Sequence, residues 1–96
     1  MVINNFAAAS PSAHVVFTDL DGREGVLVDL NTKKYYQLNE TASVIWQGLE
    51  KRLPVIEIAK EMTELYDVTL EQATSSIERA LRHFDAQKLL GPVDRG

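Results

Sequence analysis

The sequence of 96 residues contains no cysteine, and only two of its residues are histidines. Without cysteine there is no disulfide framework, no thiolate metal site and no redox-active thiol pair. Neither His14 nor His83 is spaced as part of a metal-binding set such as H-x-x-x-H. We therefore expect this protein to need neither a metal ion nor a cofactor.

Long apolar runs and an excess of positive charge are also missing. No run approaches the roughly 18 apolar residues that indicate a membrane-spanning helix, and the formal net charge is −4. Such a charge creates no broad basic field that would attract nucleic acid or an anionic membrane. The stretch Met1–Phe6 lacks the basic flank and the long apolar core of a secretory signal, so we expect a cytoplasmic protein.

Residues that could support catalysis are scarce as well. The stretch VVFTDLDG, residues 15–22, resembles the D-x-D start of haloacid-dehalogenase-type phosphohydrolases. Their parallel sheet does not fit into this length, because each parallel crossover takes about a dozen residues or more. Ser75 and Ser76 lie in a predicted helix without an adjacent base, and Gly22 and Gly25 open no helix that could bind phosphate. We therefore expect a protein without catalytic residues, not an enzyme.

Three short runs with alternating apolar residues predict an antiparallel meander. The runs cover residues 14–19, 24–30 and 34–38. Asp21 and Gly22 form a pair that can adopt the positive φ angles of a tight hairpin turn, and residues 31–33 form the next turn. Tyr35 and Tyr36 point to opposite faces of the third strand, so we expect one in the core and the other on the surface.

Helical periodicity replaces this alternation from Asn39 onward. Asn39 is expected to cap a first helix, Pro54 suits the first turn of a second, and Thr69-x-x-Gln72 is a capping box before a third. The apolar stripes of the three helices are Ala42, Ile45, Trp46, Leu49 and Leu53, then Val55, Ile58, Ala59, Met62, Leu65 and Tyr66, then Ala73, Ile77, Ala80, Leu81 and Phe84. Gly91-Pro92 is expected to stop the helical region.

The order of three strands followed by three helices, each with one apolar side, predicts an α+β fold. A three-stranded antiparallel sheet with three helices is winged helix-turn-helix-like, an architecture that DNA binders and peptide binders share. We expect a flexible N-terminal segment over residues 1–13, the domain over residues 14–91 and a C-terminal tail over residues 92–96.

The third strand forms one open edge of the predicted sheet. Lys33 and Lys34 at its start can serve to discourage aggregation. An open edge is equally what a peptide-binding module needs, because an extended ligand can add there as another strand. The third helix carries a stripe of small, cationic and amide groups that could form the second wall of a groove. This stripe consists of Ser76, Arg79, Ala80, His83 and Gln87.

The stretch from Gly25 to Glu50, GVLVDLNTKKYYQLNETASVIWQGLE, resembles the family of the pyrroloquinoline-quinone synthesis protein D, PqqD. The residues that carry the resemblance are Leu27, Asp29, Tyr35, Tyr36, Leu38, Asn39, Thr41, Ala42 and Trp46. The later stretch IAKEMTELYDVTLEQATSSIERALRHFDAQKLL is similar to the second and third helices of the family. The resemblance extends from about residue 14 to residue 90.

The resemblance implies a leader-peptide recognition element of a pathway that modifies ribosomally synthesised peptides (RiPPs). Such a domain is not a catalyst. It binds the leader of a precursor peptide as an added strand and delivers it to modifying enzymes such as a leader protease, a cyclase or a radical SAM enzyme. The implied peptide-binding residues are Lys33, Lys34, Tyr35, Tyr36, Gln37, Leu38, Ser76, Arg79, Ala80, His83 and Gln87. The open edge is compatible with a monomer or a weak homodimer.

The chain departs from the family pattern in places. It lacks the Leu-Ala-Pro-Glu and Cys-Asp-Gly runs of many quinone-pathway members and looks closer to the free-standing elements of lasso-peptide clusters, many of which carry Asp at the position of Ser76. Two alternatives remain open. One is a winged-helix DNA-binding or regulatory domain, although the basic and acidic residues of the third helix nearly balance. The other is a subunit or scaffold of a larger enzyme.

Overall fold

The computed structural model describes residues 10–22 and 24–91, which form three strands followed by three helices. The elements are β1 (Val15–Asp19), β2 (Gly25–Asp29), β3 (Lys34–Leu38), α1 (Glu40–Glu50), α2 (Val55–Leu65) and α3 (Leu70–Ala86). The strands pair antiparallel in the order β1-β2-β3. The predicted meander and the predicted α+β fold class are therefore confirmed.

The hydrophobic core lies between one face of the sheet and the three helices. Leu27 at the centre of β2 is fully buried. Trp46 of α1 meets Phe84 of α3 edge to face, with ring centroids 5.2 Å apart. The indole N–H of Trp46 donates a hydrogen bond to the Glu50 carboxylate at 3.1 Å, which satisfies the polar group of this buried side chain. The expectation that Trp46 packs in the core is confirmed.

The helices begin close to where the sequence predicts. The side-chain oxygen of Asn39 accepts a hydrogen bond from the N–H of Ala42 at 2.9 Å. Thr69 and Gln72 form the reciprocal capping box that precedes α3. Pro54 lies one position earlier than predicted, since it is the extended N-cap residue of α2. Proline fits there because its fixed φ matches this backbone and no donor is required of it.

Two details of the strands and helices differ from the prediction. Of the pair Asp21 and Gly22, Gly22 alone adopts a positive φ, 87°. The Asp19 carboxylate accepts a hydrogen bond from the Gly22 N–H at 2.8 Å, so the end of β1 helps to shape the turn. Leu65 is 59% exposed, although we placed it in the apolar stripe of α2. Leu65 is the last residue of α2 and lies where the packing surface of the helix ends.

The segment after α3 returns to the start of β1. The prediction that Gly91-Pro92 stops the helix is wrong, because α3 ends at Ala86 and Lys88 adopts the left-handed conformation with φ of 61°. The Ser12 N–H then donates to the Leu89 C=O at 2.9 Å, and the Gly91 N–H donates to a main-chain oxygen of the same N-terminal stretch at 2.7 Å. These hydrogen bonds join residues 10–12 to residues 89–91, which are far apart in the sequence.

The boundaries predicted for the domain stay a prediction. Residues 1–9 of the expected flexible segment and the tail over residues 92–96 lie outside the described residues. Residues 10–12, which we assigned to the N-terminal segment, form an antiparallel bridge with the stretch around Leu90.

Candidate functional site

The N–H and C=O groups along β2 form hydrogen bonds to β1 and to β3 in alternation. Even-numbered residues of β2 bond to β1, and odd-numbered residues bond to β3. Just beyond β2, the Leu30 N–H donates to the His14 C=O at 2.9 Å. This bond shows that even-numbered residues of β2 are directed at β1, in agreement with the register of the two strands. Because hydrogen-bonding directions alternate along an antiparallel strand, the odd-numbered residues of β2 are directed at β3.

The main chain of β3 therefore has one paired side and one open side. The partners of the odd-numbered residues of β2 are Lys34, Tyr36 and Leu38. The intervening residues, Tyr35 and Gln37, direct their N–H and C=O groups outward. Within the described part of the chain, no main-chain group pairs with them on that side. The open side of β3, which we call the β3 edge, offers two donors and two acceptors to an added strand.

The turn that leads into β3 is organised by Asp29. Its buried carboxylate accepts hydrogen bonds from the N–H groups of Asn31 at 2.9 Å and Thr32 at 3.2 Å, while its C=O accepts from the Lys33 N–H at 2.7 Å. Burial alone would raise the pKa of Asp29. The N–H donors of Thr32 and Asn31, together with His14 at 3.7 Å, outweigh burial and hold the pKa below its ordinary value of 3.8.

A groove of about 510 Å³ lies between the end of β3, the start of α1 and the face of α3. Its lining residues are Gln37, Leu38, Asn39, Thr41, Ala42, Ile45, Ser76, Arg79, Ala80, His83 and Phe84. The floor is apolar, because Leu38, Ile45 and Phe84 belong to the buried core. The rim is polar, and Arg79 and His83 are exposed there. An apolar floor with a few polar groups at the rim is typical of a ligand site.

The structure brings six of the eleven predicted site residues together in this groove. They are Gln37, Leu38, Ser76, Arg79, Ala80 and His83. The other five lie outside the lining. Lys33 lies in the turn with φ of 67°, Lys34 is exposed at the start of β3, Tyr35 points away from the core and is 74% exposed, Tyr36 packs against the core, and Gln87 is the C-cap of α3. That these residues bind a peptide stays a prediction.

The site predicted from the sequence does not include α1, which contributes to the groove. Asn39, Thr41, Ala42 and Ile45 lie in or next to the first turns of α1 and line one end of the groove. We had assigned Ala42 and Ile45 to the core stripe, because periodicity shows which face of a helix is apolar but not how far the sheet covers it. The signal was present in the short connection, since the cap residue Asn39 follows β3 directly.

The described lining of the groove is positively charged, although the chain as a whole has a net charge of −4. It contains no carboxylate, and Arg79 is its one permanently charged side chain. The Arg79 guanidinium donates a long hydrogen bond to the Ser76 hydroxyl at 3.5 Å and forms no ion pair with a carboxylate of the described residues.

Residues 10–22 and 24–91 contain no group of three or more His, Asp or Glu side chains arranged to hold a metal ion. In the same residues, no helix has both the length and the apolar character needed to cross a membrane.

The fold and the groove define a small α+β domain that presents an open strand edge beside a helix. A family model described as Coenzyme PQQ synthesis protein D (PqqD) matches residues 24–90, which is most of the chain. The chain belongs to the PqqD family, and the resemblance that its sequence shows is confirmed. No curated protein sequence matches the chain.

Two solved structures share this fold. TbiB1 in complex with the TbiA(β) leader peptide is 30% identical, with a TM-score of 0.79 over 88% of this chain and 99% of that chain. Lasso peptide synthetase B1 complexed with the leader peptide is 24% identical, with a TM-score of 0.79 over 90% of this chain and 100% of that chain. The second likeness shows the fold alone, whereas the first is a relative of nearly the same extent.

Proposed function

We propose that this protein binds the leader segment of a ribosomally synthesised precursor peptide, and that the leader adds to the β3 edge as a fourth strand. The observation that carries the proposal is the set of outward-directed main-chain groups of Tyr35 and Gln37 beside a groove walled by α3. Membership in the PqqD family and similarity to TbiB1, which is seen with the TbiA(β) leader peptide, support it.

The geometry of strand addition divides the side chains of the leader into two sets. Neighbouring residues on paired strands point to the same face of a sheet. Leader residues opposite Tyr36 and Leu38 would therefore point toward the core side and enter the groove. Leader residues opposite Tyr35 and Gln37 would point to the other face. Affinity then comes from main-chain hydrogen bonds, and specificity comes from every second side chain.

The proposed role is binding without chemistry. The protein holds the leader, and a modifying enzyme such as a leader protease, a cyclase or a radical SAM enzyme acts on the rest of the precursor. Simultaneous contact with the leader and the enzyme raises the effective concentration of the precursor at that enzyme. The sequence resemblance to the free-standing elements of lasso-peptide clusters favours a pathway of the lasso-peptide type, and the solved structure named lasso peptide synthetase B1 agrees with it.

Calorimetric titration with the leader of a precursor peptide encoded beside this gene tests the proposal. A leader residue that bonds to Tyr35 or Gln37 through its N–H should not tolerate proline, because proline has no N–H and disrupts the strand. We expect this substitution to weaken binding about tenfold or more.

The matched control is proline at the adjacent leader position, whose N–H points away from β3. Proline is accepted on the outward side of an edge strand, so this variant should bind much better than the first. Equal affinity of both proline variants and the original leader would show that the leader does not bind by strand addition.

A further inference from the structure

We propose that the groove selects leader peptides with an acidic side chain held by Arg79, beside an apolar side chain seated on the groove floor. This inference rests on the proposed function and names the chemical class of peptide that the site takes. It starts from the charge balance of the groove, where a guanidinium lies at the rim of an apolar surface without a carboxylate partner.

The surroundings of Arg79 leave its charge available. Its hydrogen bond to the Ser76 hydroxyl is long, 3.5 Å, and uses one of five donors. Asp67 and Glu71 border a neighbouring hollow on the other side of Ser76 and Arg79. Neither of these carboxylates forms an ion pair with Arg79 in the described structure. A carboxylate supplied by a ligand would therefore meet a guanidinium that the protein itself has not neutralised.

The side chains of an added strand suit this arrangement. Every second side chain faces the groove, and successive groove-facing side chains lie about 7 Å apart along the strand. One of them can lie on the groove floor formed by Leu38, Ile45 and Phe84. The next can reach the rim, where the planar guanidinium of Arg79 can bind a carboxylate through two parallel hydrogen bonds.

Because the chain carries a net negative charge, only the short-range contact with Arg79 can favour an acidic residue of the peptide. A protein of net charge −4 does not attract an acidic peptide over long distances. Recognition of an acidic residue must then come from the short-range contact with Arg79 and should appear in the dissociation rate more than in the association rate. It should also weaken as salt screens the pair, because Arg79 is exposed.

Selection from a displayed library of random peptides of about nine residues tests the inference, since this length spans a typical strand with flanking residues. The whole chain, the Arg79→Glu variant and the Arg82→Glu variant serve as baits. Arg82 is the matched control, because it is exposed on α3 but does not line the groove. The original chain and Arg82→Glu should enrich Asp or Glu at one position two residues from an apolar position. Arg79→Glu should enrich Lys or Arg there instead.

A double-mutant cycle with one selected peptide measures the pair. Arg79→Gln in the protein and Glu→Gln in the peptide should each weaken binding about five- to tenfold, and the two changes together should cost little more than either alone. An acidic preference that persists unchanged in Arg79→Glu overturns the inference. Enrichment of peptides with alternating apolar residues but no acidic position also overturns the inference. That result would leave the proposed function, the binding of an extended peptide as an added strand, intact. Enrichment of no extended peptide by the original chain overturns the proposed function as well.

Discussion

Asp29 shows how one buried carboxylate can prepare a binding edge. Its side chain is 4% exposed and fixes the turn that directs β3, through the N–H groups of Asn31 and Thr32. A charged group can remain in such a place because hydrogen bonds to its ionised form outweigh the loss of water. The orientation of the β3 edge therefore depends on a residue that lies outside the lining of the groove.

The lowered pKa of Asp29 predicts how stability depends on pH. A carboxyl group whose pKa is lower in the folded state than its ordinary 3.8 stabilises the fold above that value, and this contribution is lost as pH falls through the folded pKa. Asp29→Asn can keep both hydrogen bonds but does not titrate. Its free energy of unfolding should therefore fall less steeply below about pH 4 than that of the original chain. Urea titrations across this range measure the difference, and identical pH slopes would contradict the assignment.

Gly48 is a second residue whose identity has a specific steric reason, because the packing of α1 on α2 leaves no room for a side chain there. A Cβ atom added there would lie 2.7 Å from Cγ1 of the buried Ile58 where α1 meets α2. Gly48→Ala gains helix propensity worth about 1 kcal/mol, but overpacking costs about 1–3 kcal/mol. We expect a net loss of about 1 kcal/mol in the free energy of unfolding.

The background Ile58→Ala provides the control for Gly48. Alanine lacks both Cγ1 and the terminal methyl group of isoleucine, so the added Cβ should cost less in this background. Chemical denaturation of the four proteins gives the coupling energy. A Gly48→Ala change that costs the same in both backgrounds would show that Ile58 is not the obstacle.

For single residues, the sequence predicts which face of a strand or helix a side chain points to better than it predicts which residues that side chain contacts. The alternation of strand side chains assigned one tyrosine of the pair to the core, and the structure identifies it as Tyr36, with Tyr35 on the opposite face. Leu65 could not be assigned by periodicity alone, because the last residue of a helix lies where the packing surface ends. The sequence could place Arg79 on the stripe of α3 that lines the groove. It could not show that Arg79 has no carboxylate partner among the described residues, because that depends on how the elements pack.

At the scale of elements, α3 is both a structural helix and the wall of the groove. Its buried face is formed by Ala73, Ile77, Leu81 and Phe84, while Arg79 and His83 lie toward the groove. The capping box at Thr69 fixes where this helix begins, so it sets the position of the wall relative to β3.

Thr69→Ala should destabilise the protein by about 1 kcal/mol, because it leaves the N–H of Gln72 without its side-chain acceptor at the start of α3. Thermal denaturation measures the loss. Thr69→Ser keeps the hydroxyl and should restore most of the stability. Equal destabilisation by alanine and serine would show that the methyl group of Thr69, rather than its cap, carries the effect.

The elements themselves were largely predictable, and the groove was predictable in part. Strand and helix signals such as Asn39 and the capping box are local, so they can be read without knowing the fold. The contribution of Ala42 and Ile45 to the groove was not local. It depends on how far β3 extends across α1, which side-chain periodicity does not contain.

At the scale of the whole molecule, the fold is closed by contacts between remote parts of the chain. Leu89 is buried after α3, and its C=O accepts the N–H of Ser12. The predicted end of the domain, residue 91, lies near this point, but the pairing was not predicted, because hydrogen bonds between segments this far apart have no sequence periodicity.

Leu89→Ala should therefore cost about 2–5 kcal/mol in the free energy of unfolding, as expected for truncation of a buried leucine. Leu65→Ala is the matched control, because Leu65 is 59% exposed and its truncation should cost about 0.5 kcal/mol or less. Urea denaturation separates the two outcomes. Similar small losses for both variants would show that the segment after α3 is not part of the cooperative fold.

Amide hydrogen exchange measured by NMR, with and without a bound leader peptide, shows whether the leader pairs with the outward-directed main-chain groups of the β3 edge. Phe17 on β1 is the internal control, because the same alternation directs its N–H outward at the opposite edge of the sheet. The amides of Tyr35 and Gln37 should exchange more slowly when the peptide is bound, while the exchange of the Phe17 amide should be unchanged. Peptide binding that leaves the exchange of Tyr35 and Gln37 unaltered would contradict strand addition at the β3 edge.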